Sequence, residues 1–141
     1  MTTKEYLNQA RYIDLRINTK LETIERLNAL ANKATSTLTD MPHSPSKDVH
    51  KREKLIVKII DLEHEVDDDI DKLVDLKREI MNVIKDVEDE DCQTVLERRY
   101  ICMDEWKDIA DEMHYEERTI YRIHGKALAM VKIPEDSPFC Q

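Results

Sequence analysis

Residues 48–90 carry an apolar seam in alternating steps of four and three: Leu55, Ile59, Leu62, Val66, Asp69, Leu73, Leu76, Ile80, Val83 and Val87. A spacing that averages 3.5 residues keeps one narrow stripe of a long helix turned toward a partner helix. The repeat predicts a helix of roughly 60 Å at 1.5 Å per residue. Asp69 is the one polar member, and Ile70 stands beside it. Either Asp69 lies on the seam and fixes register at some cost in stability, or the seam slips locally onto Ile70.

A second helical period covers residues 3–34, where Ala10, Ile13, Ile17, Leu21, Ile24, Leu27, Ala31 and Ala34 recur at three- and four-residue steps. Between the two periods lies TSTLTDMPHSPSK, residues 35–47, with Pro42 and Pro45 among Ser and Thr. Two prolines so close oppose a continuing helix, so a loop is expected there. The expectation is an antiparallel coiled-coil hairpin over 1–90, with its loop at about 35–47. Composition agrees: 38% of the 141 residues are charged, 5% are aromatic, and glycine occurs once. Such a chain suits long helices sharing narrow seams better than a β fold or a wide core.

Residues 91–133 change character. Three short apolar patterns follow one another: Val95, Leu96, Tyr100; then Trp106, Ile109, Ala110, Met113; then Ile120, Ile123, Ala127, Leu128, Val131. Each fits one short helix, with breaks near Cys102–Met103 and His114–Tyr115, and Asp104 is placed to cap the second. Trp106 is read as a core anchor of this small bundle. After Pro134 no period remains, and 134–141 is expected to be a flexible tail. The fold class expected is all-α: a long antiparallel coiled-coil hairpin followed by a small helix-turn-helix bundle.

Three short helices with a tight turn before the third form the helix-turn-helix pattern, whose last helix enters the major groove of DNA. If Ile120, Ile123 and Ala127 face inward, then Glu117, Arg118, Tyr121, Arg122 and Gly125 face outward. Guanidinium groups can bind guanine O6 and N7 bidentately, and a carboxylate can accept from cytosine N4. Glu117, Arg118, Tyr121 and Arg122 are therefore candidates for base reading, and Arg118, Arg122, Lys126 and Lys132 for phosphate contact. Tyr121 has two readings, stacking on a sugar or covering the surface. Gly125 also has two: close approach of the DNA backbone, or close packing against a neighbouring helix. Arg98 and Arg99 either touch phosphate or pair with the acidic helix.

The stretch VLERRYICMDEWKDIADEMHYEERTIYRIHGKALAMV resembles the promoter-reading C-terminal domain of sigma factors. The resemblance rests on Leu96, Arg98, Arg99 and Tyr100; Ile109 and Ala110; Thr119 and Ile120; and Lys126, Ala127 and Leu128. Over most of the chain before Pro134, the phrases YLNQARYIDLRINTKLETIERL and VKIIDLEHEVDDDIDKLVDLKREI, with the segment just quoted, resemble the ArpU-type phage transcriptional regulators. That resemblance implies a phage- or prophage-encoded regulator of late genes that binds duplex DNA. Two departures touch the turn. His114 stands where glycine is usual, and Glu116 stands where Ser or Thr usually caps the recognition helix.

The formal charge of −9 is no objection to DNA, because it is unevenly placed. Residues 48–91 hold 8 basic and 16 acidic side chains, whereas 114–133 hold four basic and two acidic ones. Beyond about 10 Å at ~0.1 M salt the distant acidity is largely screened. The acidic hairpin sustains a rival reading, a protein-binding module that engages RNA polymerase or mimics DNA to block a nucleic-acid-binding protein. The run Asp67, Asp68, Asp69, Asp71 is otherwise a solvated face. Cys92, Cys102 and Cys140 form an odd set without a CxxC pair, and Cys92, Cys102, His114 and His124 together match no zinc spacing. Glu22 with Glu25, and Asp68 with Asp71, share helix faces that suit magnesium and equally suit a solvated coil. No nucleophile–base pair, phosphate loop or dinucleotide motif is present. The expectations are no enzymatic activity, no cofactor and no metal, a cytoplasmic protein without a membrane span, and a homodimer through the long helix.

Overall fold

The computed structural model describes residues 1–40 and 45–140, and the side chains of 1–33 and 49–140. Among them every regular element is a helix: α1 (Thr3–Asp40), α2 (Pro45–Lys85), α3 (Glu90–Tyr100), α4 (Trp106–Met113) and α5 (Glu117–Met130). The chain is all-α, with α1 and α2 antiparallel and the three short helices after them.

A reciprocal cap starts α1. The Thr2 backbone N–H donates to Glu5 at 2.9 Å, and the Glu5 N–H donates to Thr2 Oγ1 at 3.1 Å. The helix then runs to Asp40, six residues beyond the last expected one, and α2 begins at Pro45. Residues 35–40 and 45–47 of the loop expected over 35–47 are thus helical. Proline at a first helical position loses only an N–H that has no intrahelical partner, so Pro45 can open a helix instead of breaking one. Residues 41–44 of that loop lie outside the described residues. At the other end α2 stops at Lys85 rather than 90, and the chain re-enters helix at α3, where Asp89 accepts from the Cys92 N–H at 3.0 Å.

Two compact units divide the chain: residues 15–71, and residues 1–14 with 72–141. In the first, Ile17, Ile24 and Ala31 of α1 and Ile59 and Val66 of α2 are buried. Asp69 stays on the seam. It is 6% exposed while Ile70 is 42% exposed, so the seam does not slip. Lys20 Nζ lies 2.7 Å from its carboxylate and Arg16 lies 3.5 Å from it. This contact corrects the α1 pattern: Leu21 was expected inside and is 47% exposed, because Lys20 turns inward to meet Asp69.

In the second unit, Leu76, Ile80, Ile84 and Val87 continue the seam, joined by Tyr6, Leu7 and Ala10 of α1 and by Val95, Leu96 and Tyr100 of α3. The C-terminal segment is also packed here, which corrects the expectation of a flexible tail. Ser137 is buried and its hydroxyl donates to Glu79 at 2.7 Å. The same carboxylate oxygen accepts from the buried Tyr6 hydroxyl. Gln9 Nε2 donates to the Phe139 carbonyl at 2.7 Å. These three hydrogen bonds satisfy the polar groups that make them, and they hold a segment that has no apolar period.

Candidate functional site

The bundle of α3, α4 and α5 is built on side chains that are fully inside: Val95, Leu96 and Tyr100 of α3, Ile109 and Ala110 of α4, and Ile120, Ile123 and Ala127 of α5. Burying Ile120 and Ile123 three residues apart fixes the rotation of α5, so the opposite face is turned out. Glu117, Arg118, Tyr121, Arg122, Gly125 and Lys126 are all exposed. Lys132 is exposed too, one residue past Val131, the C-cap of α5.

The aim of α5 depends on the turn before it. His114 ends α4 at φ 59°, ψ 39°, the left-handed region that glycine enters most freely. Its N–H reaches back to the last carbonyls of α4, and the Tyr115 N–H reaches Ala110 O at 3.0 Å. Glu116 is the N-cap of α5 and makes no side-chain cap. The turn is held instead from outside it: the Tyr115 hydroxyl donates to Asp91 of α3 at 2.8 Å, which raises the phenol's pKa.

The turn between α3 and α4 uses both arginines. Arg98 Nε lies 2.9 Å from the Asp104 carboxylate, beside its N–H direction rather than along it, and its guanidinium also reaches Glu112 at 3.4 Å. Asp104 therefore does not cap α4; Glu105 occupies the N-cap position without a side-chain bond. Arg99 donates to the Asp104 carbonyl at 3.1 Å and lies 4.2 Å from the centre of the Trp106 ring. Burial lowers its pKa, with Arg11 alongside adding to the effect. Among the described residues neither arginine pairs with the acidic α2. Both brace a turn in which Met103 also takes a positive φ of 61°.

Trp106 is half-buried in an aromatic group, not a fully enclosed core. Its ring centroid is 5.2 Å from Tyr121 and 4.6 Å from His124, edge-on to the latter. Tyr121 thus covers Trp106 with one side and remains 49% exposed. His124 is 7% exposed, and its Nε2 lies 2.7 Å from the Tyr100 hydroxyl. Burial, then the nearby Lys4 and Arg99 charges, pushes the imidazole down to about 4, so it is neutral at pH 7. Burial also holds the Tyr100 phenol protonated. With the ring proton on Nδ1, the phenol donates to Nε2.

The cations of α5 divide into two groups. Lys126 reaches Asp89 at 3.3 Å, and that carboxyl is held below its usual range by the Cys92 N–H and then by Lys126. Arg118 and Arg122 make no ion pair among the described residues. Arg122 borders a cleft of about 200 Å³ with Tyr115, Thr119, Lys126, Asp89 and Asp91. Sequence reasoning missed this pairing of α5 with the start of α3, since nothing in a period links Asp89 to a lysine 37 residues away.

Gly125 has open space around it. A Cβ built there meets nothing within 4 Å, which overturns close packing against a neighbouring helix as its reason. Gly125→Ala is expected to stabilise the protein by about 0.5–1 kcal/mol by restoring helix propensity. Chemical denaturation of the two proteins checks it; a loss of stability would mean an unrecognised neighbour.

Among the described residues no group of His, Cys, Asp and Glu could hold a metal ion, and no helix is long and apolar enough to cross a membrane. No curated protein and no solved structure matches the chain. A family model does match, from the first turn of α2 to two residues past the end of α5, and so takes in the whole bundle and its outward face. On that match over residues 46–132, the chain belongs to the family described as protein of unknown function (DUF1492).

Proposed function

We propose that the protein is a non-catalytic, cytoplasmic regulator of transcription that binds duplex DNA through the outward face of α5. The observation that carries this reading is the pair Arg118 and Arg122. They project from a helix whose other face is locked by Ile120 and Ile123, and no carboxylate among the described residues neutralises them. Glu117, Arg118, Tyr121 and Arg122 would read bases, and Lys132 would contact phosphate. Lys126 would exchange Asp89 for a phosphate. At Gly125 the bare backbone leaves room for close approach. The left-handed turn at His114 and the likeness to sigma-factor and ArpU-type sequences support the same assignment, and with it a phage or prophage setting and late genes as targets.

The test is binding of the full chain to DNA fragments selected from a genomic pool, titrated with salt. Three free cations per copy predict a slope of log affinity against log salt of about −3 per bound copy. Arg118→Ala with Arg122→Ala is expected to lower affinity at least tenfold. Gly125→Leu should lower it as well. Unchanged binding by the double arginine variant would refute the assignment of α5.

One observation favours a second reading. Residues 48–91 carry 8 basic and 16 acidic side chains, and Asp67, Asp68 and Asp71 are exposed. That surface suits a basic protein partner, either RNA polymerase or a nucleic-acid-binding protein blocked by DNA mimicry. Retention of the full chain on immobilised RNA polymerase without DNA would support it. The two readings combine in an activator that holds DNA at α5 and polymerase at α2.

A further inference from the structure

Helix α2 carries a second apolar stripe that no described residue covers. Val49, Ile56, Ile60, Ile70, Val74 and Met81 are each between 40% and 49% exposed. With Glu53, Glu63, Asp67 and Lys77 they fill a strict four–three alternation: 49, 53, 56, 60, 63, 67, 70, 74, 77, 81. Each position from Ile56 to Met81 sits one residue after a member of the buried seam, so the stripe is turned roughly 100° around the helix from it. An isolated exposed leucine needs no explanation, but six large apolar residues in heptad register on one helix do. From Val49 to Met81 the stripe is about 48 Å long at 1.5 Å per residue.

The order of residues along the stripe selects the occupant. Positions equidistant from residue 65 match in kind: Ile60 with Ile70, Ile56 with Val74, and Val49 with Met81, while Glu53 matches Lys77. A second copy laid antiparallel, with its two-fold axis level with residue 65, would therefore set apolar against apolar six times and glutamate against lysine twice. A parallel copy would set Glu53 and Lys77 each against itself. Among the described residues Glu53 has only an exposed contact with His50 at 3.6 Å, so its carboxylate is free to turn. The pairing has one cost. Glu63 meets Asp67 of the other copy twice beside the axis, and four carboxylates gather there.

We propose that the uncovered stripe of α2 is a homodimer interface in which two copies pair antiparallel about residue 65. The inference is independent of DNA binding, because the association is measured without nucleic acid. Sedimentation equilibrium of the full chain should show a monomer–dimer equilibrium in the micromolar range. Ile60→Asp should weaken it at least tenfold while leaving the circular dichroism of the helices unchanged, since Ile60 is on the surface of the monomer. Lys77→Glu alone and Glu53→Lys alone should each weaken it, and the double variant should restore it. Glu63→Gln with Asp67→Asn should tighten it. A parent chain that is monomeric at 100 μM (roughly a −5.5 kcal/mol association threshold), an Ile60→Asp variant that dimerises like the parent, or a double charge reversal no better than the single ones would each overturn the proposal.

Discussion

Lys20→Met combined with Arg16→Met is expected to destabilise the protein by about 3 kcal/mol, and by more if water cannot reach the site. The reason is the position of Asp69. Its side chain is 8% exposed, on a seam whose neighbours are Val66 and Leu73, and Lys20 and Arg16 are the cations that compensate it. Removing both leaves a buried carboxylate without a partner, which costs more than the pair contributes. Arg16 is 58% exposed in its side chain and contributes the smaller share; Lys20, at 21%, contributes the larger. The companion variant Lys20→Leu with Asp69→Leu should recover the loss or exceed the parent by about 1–4 kcal/mol, because apolar packing replaces two desolvated charges. What that variant should lose is register, since a uniform seam no longer distinguishes one alignment of α1 on α2 from the next. Urea denaturation gives the first two quantities. A Lys20→Met, Arg16→Met chain as stable as the parent would mean that Asp69 does not depend on them.

Acid should act through His124. Burial holds its imidazole's pKa in the fold down at about 4, against an ordinary value near 6.5. Above pH 6.5 the ring is neutral whether the chain is folded or not, and His124 contributes no pH dependence. As pH falls through 6.5 the unfolded chain takes up a proton that the folded one refuses, so stability is lost on the way down. The loss amounts to about 2 kcal/mol at pH 5 and about 3 kcal/mol by pH 4. Tyr100, Trp106, Lys4 and Arg99 surround the ring, and none of them offers a carboxylate to receive the proton. Carboxylates elsewhere titrate in the same range, so the readout is a difference. His124→Gln keeps an acceptor for the Tyr100 hydroxyl without the titration. The parent should lose about 2 kcal/mol more than this variant between pH 7 and pH 5. Parallel curves for the two proteins would show that His124 does not control the response.

Much of this architecture was legible because apolar periods report which face of a helix is inside. Most of the α2 seam followed from its period, while the choice between Asp69 and Ile70 stayed open until their burial decided it. The outward face of α5 followed from Ile120, Ile123 and Ala127, and the breaks near residues 102 and 114 fell where the apolar periods shift phase. The failures share a cause. Lys20 replaces Leu21 on the inside because of a charge on another helix, and one helix's period cannot show it. Asp104 was expected to cap α4, but Arg98, six residues earlier, holds its carboxylate. Ser137, Glu79 and Tyr6 are joined by hydrogen bonds alone, and Pro45 starts a helix where proline more often signals a loop. Polar contacts between distant residues leave no periodic trace.

The interleaving of the two compact units bears on synthesis. Residues 15–71 form a contiguous unit, so that hairpin can close while the rest of the chain is still being translated. The other unit joins residues 1–14 to 72–141, and the oxygen of Glu79 that holds Tyr6 also receives Ser137. Tyr6 must wait for Ser137, far later in the chain, to complete its hydrogen-bond network. The compact unit that carries Arg118 and Arg122 is therefore complete only after translation has passed Ser137, and a nascent chain stalled before that point would display the acidic hairpin before it displayed that completed unit.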